Sequence, residues 1–162
     1  MEQLQIERAR PADAGEILTL QRAAYVTEAQ LYGDPYIAPL VESLEQVRGA
    51  IEGGAAVLAA WAGTRIVGAV RGRVQARTCL VGRLVVAPDV QGAGVGTALM
   101  LALEDAVRAD VDDLALFTGH QSSGNLKLYT RLGYVETRRE QVAAHLTMVH
   151  MRKPLHASKA ET

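Results

Sequence analysis

Two spacings of hydrophobic residues alternate along the chain, and together they predict a mixed α/β fold. A period of two, rich in β-branched and aliphatic residues, predicts about seven strands at 4–10, 55–61, 65–75, 78–87, 112–118, 134–139 and 145–152. A period of three to four predicts about four helices over 14–32, 43–53, 97–109 and 123–132. The segment 36–41 is flanked by prolines and is predicted to be a loop.

Local signals mark the ends of two of these helices. Asp13 stands where a side chain caps the first helix, and Gly33 follows the last residue of that helix. Ser43 and Gln46 have the spacing of a capping box at the start of the second helix. These residues support the assigned boundaries.

The connections between elements predict how the strands pair. A helix joins the strands at 78–87 and 112–118, so we expect these two strands to be parallel. The last two strands should be antiparallel partners. The chain has the usual length of one domain, which we expect over 1–155, followed by a flexible tail at 156–162.

Composition narrows the function classes. A net charge of −1, with 22% charged residues, gives no basic surface field for nucleic acid. The longest apolar run, 55–62, is too short to cross a bilayer, so no membrane partner is expected. A single cysteine, Cys79, excludes an internal disulfide and is typical of a reducing cytoplasm, where we expect the protein to act. The four histidines lack the spacing of metal ligands, so no metal is expected.

The candidate chemistry lies between the fourth strand and the helix that follows it. Gly92, Gly94 and Gly96 separate these two elements. Residues without a Cβ atom let the backbone bend sharply and point consecutive N–H groups toward one place. The N-terminus of a helix adds a partial positive charge there. The loop is therefore predicted to hold an anion, and phosphate fits best.

Two common phosphate loops do not fit this spacing. A nucleoside-triphosphate loop requires Gly-Lys-Ser/Thr, and no lysine lies between Gly92 and Thr97. A dinucleotide loop, G-x-G-x-x-G, would place its third glycine at position 97 rather than at Gly96. The remaining pattern, Gln91-x-x-Gly94-x-Gly96, follows a strand and a proline. It resembles the pyrophosphate loop of the GNAT superfamily, with signature Q/R-x-x-G-x-G/A; the alternative is an ordinary glycine-rich turn.

GNAT proteins are acyl-CoA-dependent N-acyltransferases, and the order of the predicted elements resembles theirs over nearly the whole chain. The resemblance implies an α/β (α+β) fold whose central sheet is mixed, mostly antiparallel, and splayed between strands 4 and 5. It implies acetyl-CoA as co-substrate, with the pantetheine arm along the backbone of Leu84, Val85 and Val86. It assigns the pyrophosphate to Gln91, Gly92, Ala93, Gly94, Val95, Gly96 and Thr97.

A second motif lies in the last helix. Tyr129, followed by Gly133 and Tyr134, resembles the later GNAT motif N-x-x-A-x-x-x-Y-x-x-x-G-F/Y. The resemblance makes Tyr129 the general acid for the CoA thiolate, and the ordinary pKa of a phenol, about 10, suits that role. The family's asparagine falls on Ser122, and Asn125 occupies the small-residue position, so one of these two should bond the cofactor. The alternative for Tyr129 is a tyrosine of the hydrophobic core.

The acceptor side carries no comparable motif. The candidates for substrate contacts are Tyr25, Glu28, Tyr32, Tyr36, Arg83 and His120. Three of the five tyrosines cluster there among acidic residues, in a chain with only 4% aromatic residues, which indicates a cleft for a small cationic amine. The same tyrosines would equally suit a homodimer interface. The general base stays open among Glu28, Asp34 and Glu42.

The sequence therefore predicts an N-acetyltransferase that moves an acetyl group from acetyl-CoA to the primary amine of a small molecule or peptide. Both substrates would bind together, and the amine would attack the thioester directly. Two alternatives remain. One is a non-catalytic acyl-CoA-binding sensor or partner module of the same fold, and the other is a nucleotide-binding enzyme that uses the same loop.

Overall fold

The computed structural model describes residues 3–155, so the tail predicted at 156–162 lies outside the described residues. Seven strands and five α-helices form within them. The strands are β1 (Leu4–Arg8), β2 (Ala56–Ala62), β3 (Arg65–Gln75), β4 (Thr78–Val86), β5 (Asp113–Gly119), β6 (Val135–Ala143) and β7 (Leu146–Pro154). The helices are α1 (Ala14–Tyr32), α2 (Ala38–Val41), α3 (Leu44–Glu52), α4 (Val95–Val107) and α5 (Ser123–Arg131).

The strands form one sheet in the order β1-β2-β3-β4-β5-β7-β6. β4 and β5 are parallel, and the other neighbours are antiparallel, as the connections predicted. The mixed, mostly antiparallel α/β fold is thereby confirmed. The loop predicted over 36–41 is wrong, because α2 occupies most of it and places Pro39 in its first turn, where no N–H is needed. α4 also begins two residues before the predicted Thr97, since its first turn accommodates Gly96.

The helix caps follow the sequence signals with one exception. Ser43 Oγ accepts a hydrogen bond from Gln46 N at 3.1 Å, and Gln46 Oε1 accepts one from Ser43 N at 2.9 Å. These two bonds complete the predicted capping box. Asp13 does not cap α1 with its side chain; its Oδ2 accepts from Arg10 N at 2.8 Å instead. A single 3₁₀ turn directly before α1 brings those two residues together.

Helices cover both faces of the first part of the sheet, and the hydrophobic core lies between the layers. Cβ atoms at Gly68 and Gly72 of β3 would collide with leucine side chains of α4, so these two glycines let α4 lie close to the sheet. The side chain of Arg71 points to the opposite face, where it bonds Glu42 directly after α2. α4 therefore lies on one face of the sheet, and α1 and α2 lie on the other.

The residues that the structure describes contain neither a reactive thiol nor a group of side chains arranged to bind a metal ion. Cys79 is fully buried and free, and burial raises the pKa of its thiol to about 11. From residue 3 to residue 155, no three His, Cys, Asp or Glu side chains are grouped to hold a metal ion. None of the helices in that range combines the length and the apolar character needed to span a bilayer.

The close approach of α4 to β3 predicts the effect of one substitution. A Cβ at Gly68 would lie 2.7 Å from Val95 Cγ1 and 2.8 Å from Leu99 Cδ1. Gly68→Ala should therefore lower the free energy of unfolding by about 1–3 kcal/mol, as overpacked cores do. Gly82→Ala is the control, because nothing lies within 4 Å of its Cβ position. Equal urea-unfolding midpoints for the two variants would contradict this packing.

Candidate active site

β4 and β5 diverge and open a wedge in the sheet. They pair only where Thr78–Leu80 lies beside Asp113–Ala115, although β4 continues to Val86 and β5 to Gly119. Over the last part of β4, the backbone groups that face β5 have no partner strand within residues 3–155. Such an edge can bind an extended chain that carries amide groups, as it would bind another strand.

A cleft of about 650 Å³ occupies this wedge. β4 forms its floor, α1 forms one wall, and the starts of α4 and α5 form the other. All residues predicted to contact the cofactor line the cleft except Ala93. Among the described lining residues, Glu28 and Arg131 carry the only charged side chains. The cleft therefore combines free backbone groups with one carboxylate and one guanidinium.

The loop between β4 and α4 has the geometry that its glycines predict. Gly92 and Gly94 have φ angles of 84° and 85°, in the left-handed region that favours glycine. The first hydrogen bond of the α4 ladder runs from Ala98 N to Gly94 O at 3.0 Å. The N–H groups of residues 95–97 precede that bond and point out of the helix end. The helix N-terminus thus presents donors and partial positive charge to the cleft.

A β-bulge bends β4 within the wedge, three residues after the pairing with β5 ends at Leu80. Gly82 pairs with Arg71 and Val85 pairs with Ala69, so two residues of β4 lie opposite one residue of β3. Arg83, the first of the two, has a φ angle of 53°. A left-handed conformation costs a residue with a Cβ atom about 1–2 kcal/mol. Contacts of the Arg83 side chain must therefore hold the bulge.

Glu42 makes those contacts. It accepts hydrogen bonds from both terminal guanidinium nitrogens of Arg71, at 3.0 and 3.1 Å, and from Arg83 Nε at 3.3 Å. Gln21 Nε2 on α1 donates to the same carboxylate at 3.0 Å. Burial raises the pKa of Glu42, but the hydrogen bonds from Arg71 and Gln21 outweigh it and lower the pKa to about 2. The ionised carboxylate ties α1 and α2 to β3 and β4 beside the wedge.

Hydrogen bonds to α1 fix the turn between β5 and α5. The hydroxyl of Tyr32 accepts from Gln121 N at 2.9 Å and lies 2.8 Å from Ser122 Oγ. Ser122 Oγ in turn donates to Glu28 Oε2 at 2.6 Å. These bonds connect the backbone of the turn to the carboxylate on the cleft wall.

Ser122 and Asn125, the two candidates for a hydrogen bond to the cofactor, both line the cleft. The hydroxyl proton of Ser122 is directed to Glu28. Asn125 Nδ2 makes a long bond of 3.4 Å to Thr118 Oγ1. A weak bond is more easily exchanged for a ligand, so Asn125 is the better placed of the two.

Tyr129 lies behind the cleft wall rather than on its surface. Its ring meets Tyr134 edge-on, with the ring centroids 5.9 Å apart, and the residue is 7% exposed. Burial raises the pKa of Tyr129 above the value near 10 expected from the sequence, and the negative charge of Glu28 raises it further. The phenol of Tyr129 is therefore neutral, with its proton available as a donor.

The residues predicted to contact the acceptor divide into two groups. Those that line the cleft are Tyr25 and Glu28. Tyr32 is buried at the β5–α5 turn, and Tyr36 is 78% exposed, because α1 ends at Gly33 before it. Arg83 is directed to Glu42, as described above. His120 Nδ1 accepts a hydrogen bond from Thr147 N at 3.1 Å on β7.

Tyr25 is the phenol that reaches the cleft itself. Burial raises its pKa to about 12, while the positive charge of Arg83 partly opposes that shift. Like Tyr129, it is a neutral hydrogen-bond donor. Tyr25 thus shares the cleft lining with Glu28, whereas Tyr129 lies behind the opposite wall.

Two polar residues that support the site were not predicted. Gln21 is 1% exposed on the apolar face of α1, and Arg71 interrupts the apolar run of β3. Each is visible in the sequence as a polar residue on an apolar face, and such a side chain must find a buried hydrogen-bond partner. The sequence does not reveal that both share Glu42.

A family model supports the interpretation of these features. The model of the acetyltransferase (GNAT) domain matches residues 25–155, a range that contains the bulge, the glycine loop and Tyr129. No curated protein matches the sequence significantly.

Solved structures share the fold at low sequence identity. PaiA N-acetyltransferase from Thermoplasma acidophilum, in complex with coenzyme A, has a TM-score of 0.77 at 17% identity over 94% of this chain and 99% of its own. The ribosomal-protein-S18-alanine N-acetyltransferase from Escherichia coli has a TM-score of 0.78 at 16% identity over 94% of both chains. YncA from Salmonella typhimurium, with its cofactor acetyl-CoA, has a TM-score of 0.77 at 19% identity over 95% of both.

The contacts of Glu42 predict a large loss of stability when it is removed. Glu42→Ala should lower the free energy of unfolding by about 3 kcal/mol, because it leaves two half-buried guanidinium groups without their carboxylate. Asp89→Ala is the matched control. The Asp89–Arg65 pair is also bidentate, but its side chains are 62% and 52% exposed. Its loss should cost less than about 1 kcal/mol.

The same carboxylate predicts a pH dependence. Its pKa of about 2 in the folded protein lies below the ordinary 4.5, so its stabilisation is present above pH 4.5 and is lost as the pH falls toward 2. Wild-type protein should therefore lose more stability than Glu42→Ala across this window in urea unfolding. Parallel pH curves for the two proteins would contradict the assigned role of Glu42.

Proposed function

The chain belongs to the GNAT acetyltransferase family, and we propose that it transfers an acetyl group from acetyl-CoA to a primary amine. The observation that carries the proposal is the open backbone of β4, which leads to a helix N-terminus whose first N–H groups have no partner among the described residues. An amide-containing tail that ends in a diphosphate complements both features. Coenzyme A in the PaiA structure and acetyl-CoA in the YncA structure support this choice of donor.

The residues of the cleft fit coenzyme A at both ends. No atom lies within 4 Å of the Cβ positions of Gly92 and Gly94, so the loop can approach a diphosphate closely. The N–H groups at the start of α4 would hold that diphosphate. The backbone of Leu84–Val86 would hold the pantetheine amides, and one of its N–H groups would stabilise negative charge on the thioester oxygen. Arg131, which lines the cleft, would meet an outer phosphate.

Tyr129 is the proposed general acid, because it matches the family motif and keeps its proton. A buried neutral phenol can donate a hydrogen bond to sulfur as negative charge develops there. Tyr25 is the matched comparison, since it is a half-buried phenol that lines the cleft and lacks that motif.

The proposed acceptor is the primary amine of a small molecule or peptide. Glu28, the carboxylate on the cleft wall, favours a cation there. The E. coli relative named above acts on an alanine of ribosomal protein S18, which makes a peptide amine one class to test. A non-catalytic module of the same fold would bind acetyl-CoA without transferring its acetyl group.

Gly96 tests the cofactor site. Gly96→Glu should weaken coenzyme A binding by at least about 10²-fold, or about 2.7 kcal/mol, because it places a carboxylate beside the proposed diphosphate site. Gly96→Ala is the control, since its Cβ would make an ordinary contact of 3.5 Å with Leu128 and the family signature allows alanine there. Calorimetric titration with coenzyme A measures both affinities. If Gly96→Glu binds as well as Gly96→Ala, the cofactor does not occupy this cleft.

Tyr129 tests the activity. Wild-type protein mixed with acetyl-CoA and a panel of amino acids, polyamines and short peptides should release free thiol. Tyr129→Phe should lower kcat by about 10²–10⁴-fold and leave acetyl-CoA affinity unchanged, whereas Tyr25→Phe should have a smaller effect. Binding without turnover of any amine would favour the non-catalytic module. Failure of wild-type protein to bind any CoA thioester would exclude the proposed function.

A further inference from the structure

We propose that Glu28 is the general base that accepts a proton from the acceptor's ammonium group. Ser122 and Tyr32 hold the Glu28 carboxylate in position. The inference rests on the proposed function and assigns a role that the family motifs in this chain leave open. Glu28 is the one carboxylate among the described residues that line the cleft. Ser122 and Tyr32 lie behind it and are positioning residues.

The hydrogen bonds behind Glu28 run in one direction. Gln121 N–H can only donate, so the Tyr32 hydroxyl accepts its bond at 2.9 Å and keeps its own proton for donation. Ser122 Oγ, 2.8 Å away, accepts that proton and donates its own to Glu28 Oε2 at 2.6 Å. Three donors thus follow one another and end on a carboxylate oxygen.

This chain of bonds fixes the orientation of the Glu28 carboxyl group. Ser122 donates to Oε2, and Oε1 has no partner among the described residues. Ser122 and Tyr32 are only 4% and 8% exposed, so water has little access to disturb their hydrogen bonds. A proton can be accepted at Oε1 without breaking any bond of the network, because Oε2 remains an acceptor in the protonated form. The network therefore holds Oε2 and leaves Oε1 for a ligand in the cleft.

The other carboxylates of this wall are engaged elsewhere. Asp34 lies 3.0 Å from His145 Nε2 and also accepts from Tyr36 N at 2.9 Å. Glu42 is neutralised by Arg71 and Arg83. Both are absent from the cleft lining.

Glu28 is also close to the predicted acid. Glu28 bonds Ser122, the residue that precedes α5, and Tyr129 lies on that helix. The charge of Glu28 also raises the pKa of both Tyr25 and Tyr129. A base on one wall of the cleft and an acid behind the other can act on the amine nitrogen and on the sulfur of the thioester. The positions of these residues thus suit an acceptor that enters between α1 and α5.

The transfer step balances with these groups. One N–H proton of the ammonium passes to Glu28, and the freed lone pair forms the C–N bond to the thioester carbonyl carbon. The C–S bond breaks, and its electron pair leaves on sulfur. A second nitrogen proton ends on that sulfur, with a phenol as intermediary, and Glu28 returns its proton to water. The products are the amide and free coenzyme A thiol.

Two amines distinguish a role of Glu28 as a general base from a role in substrate binding or in the fold alone. The probes are 2-phenylethylamine and its β,β-difluoro analogue, whose ammonium is far more acidic and is largely neutral without help. Glu28→Gln should lower kcat/KM by about 10²-fold or more on the first amine and by less than about 10-fold on the second. Glu45→Gln, a change at an exposed carboxylate of α3, is the control and should alter neither rate.

The same two amines test the positioning residues, for which we expect smaller losses in kcat/KM. Ser122→Ala and Tyr32→Phe should each lower kcat/KM by about 10-fold on 2-phenylethylamine, with a smaller loss on the difluoro analogue. Ser122→Thr keeps the hydroxyl and should restore part of the rate. The affinity for acetyl-CoA, measured by calorimetry, and the thermal unfolding midpoint of Glu28→Gln should equal those of wild-type protein.

The outcomes are distinct. Equal losses on the two amines for Glu28→Gln would overturn its role as a base, and unchanged rates would remove it from the site. Wild-type protein that binds acetyl-CoA but acetylates neither amine would overturn the assignment of this cleft wall to a primary ammonium. Failure to bind acetyl-CoA would instead contradict the proposed function itself.

Discussion

The contact between Glu42 and Arg83 holds the bulge in the part of β4 that no longer pairs with β5. The left-handed backbone of Arg83 is unfavourable by itself. The carboxylate of Glu42 compensates for it by pairing with Arg83 and Arg71 at once. This ion cluster therefore stabilises the bent part of β4, whose last residues line the cleft.

Two kinds of unpaired backbone group meet in the resulting cleft. The end of β4 supplies strand-edge amides, and the start of α4 supplies helix N–H groups that have no acceptor one turn earlier. Backbone groups are rigid donors, so they bind a ligand with little loss of conformational entropy. In the proposed arrangement, the side chains at the reacting end are Tyr25 and Glu28 of α1 and Tyr129 of α5. Glycines would then serve the cofactor site, and phenols with a carboxylate would serve the chemistry.

Local pattern predicted most of the fold and many of the residues that line the cleft. The strands, the parallel pair and the glycine loop all follow from periodicity and from residues adjacent in sequence. Local pattern does not predict contacts between residues that are far apart in the sequence. Glu42 lies 29 residues from Arg71 and 41 from Arg83, and Ser122 lies 94 from Glu28. The cluster of tyrosines misled for the same reason, because local density did not show that Tyr32 would be buried and Tyr36 exposed.

The central claim is that the backbone between the end of β4 and the first turn of α4 holds coenzyme A. An amide-resolved NMR titration with coenzyme A tests it most directly. The account predicts the largest shifts at the N–H groups of 84–86 and 92–97, together with slower hydrogen exchange there. Shifts confined to other surfaces, with these amides unchanged at saturation, would contradict it.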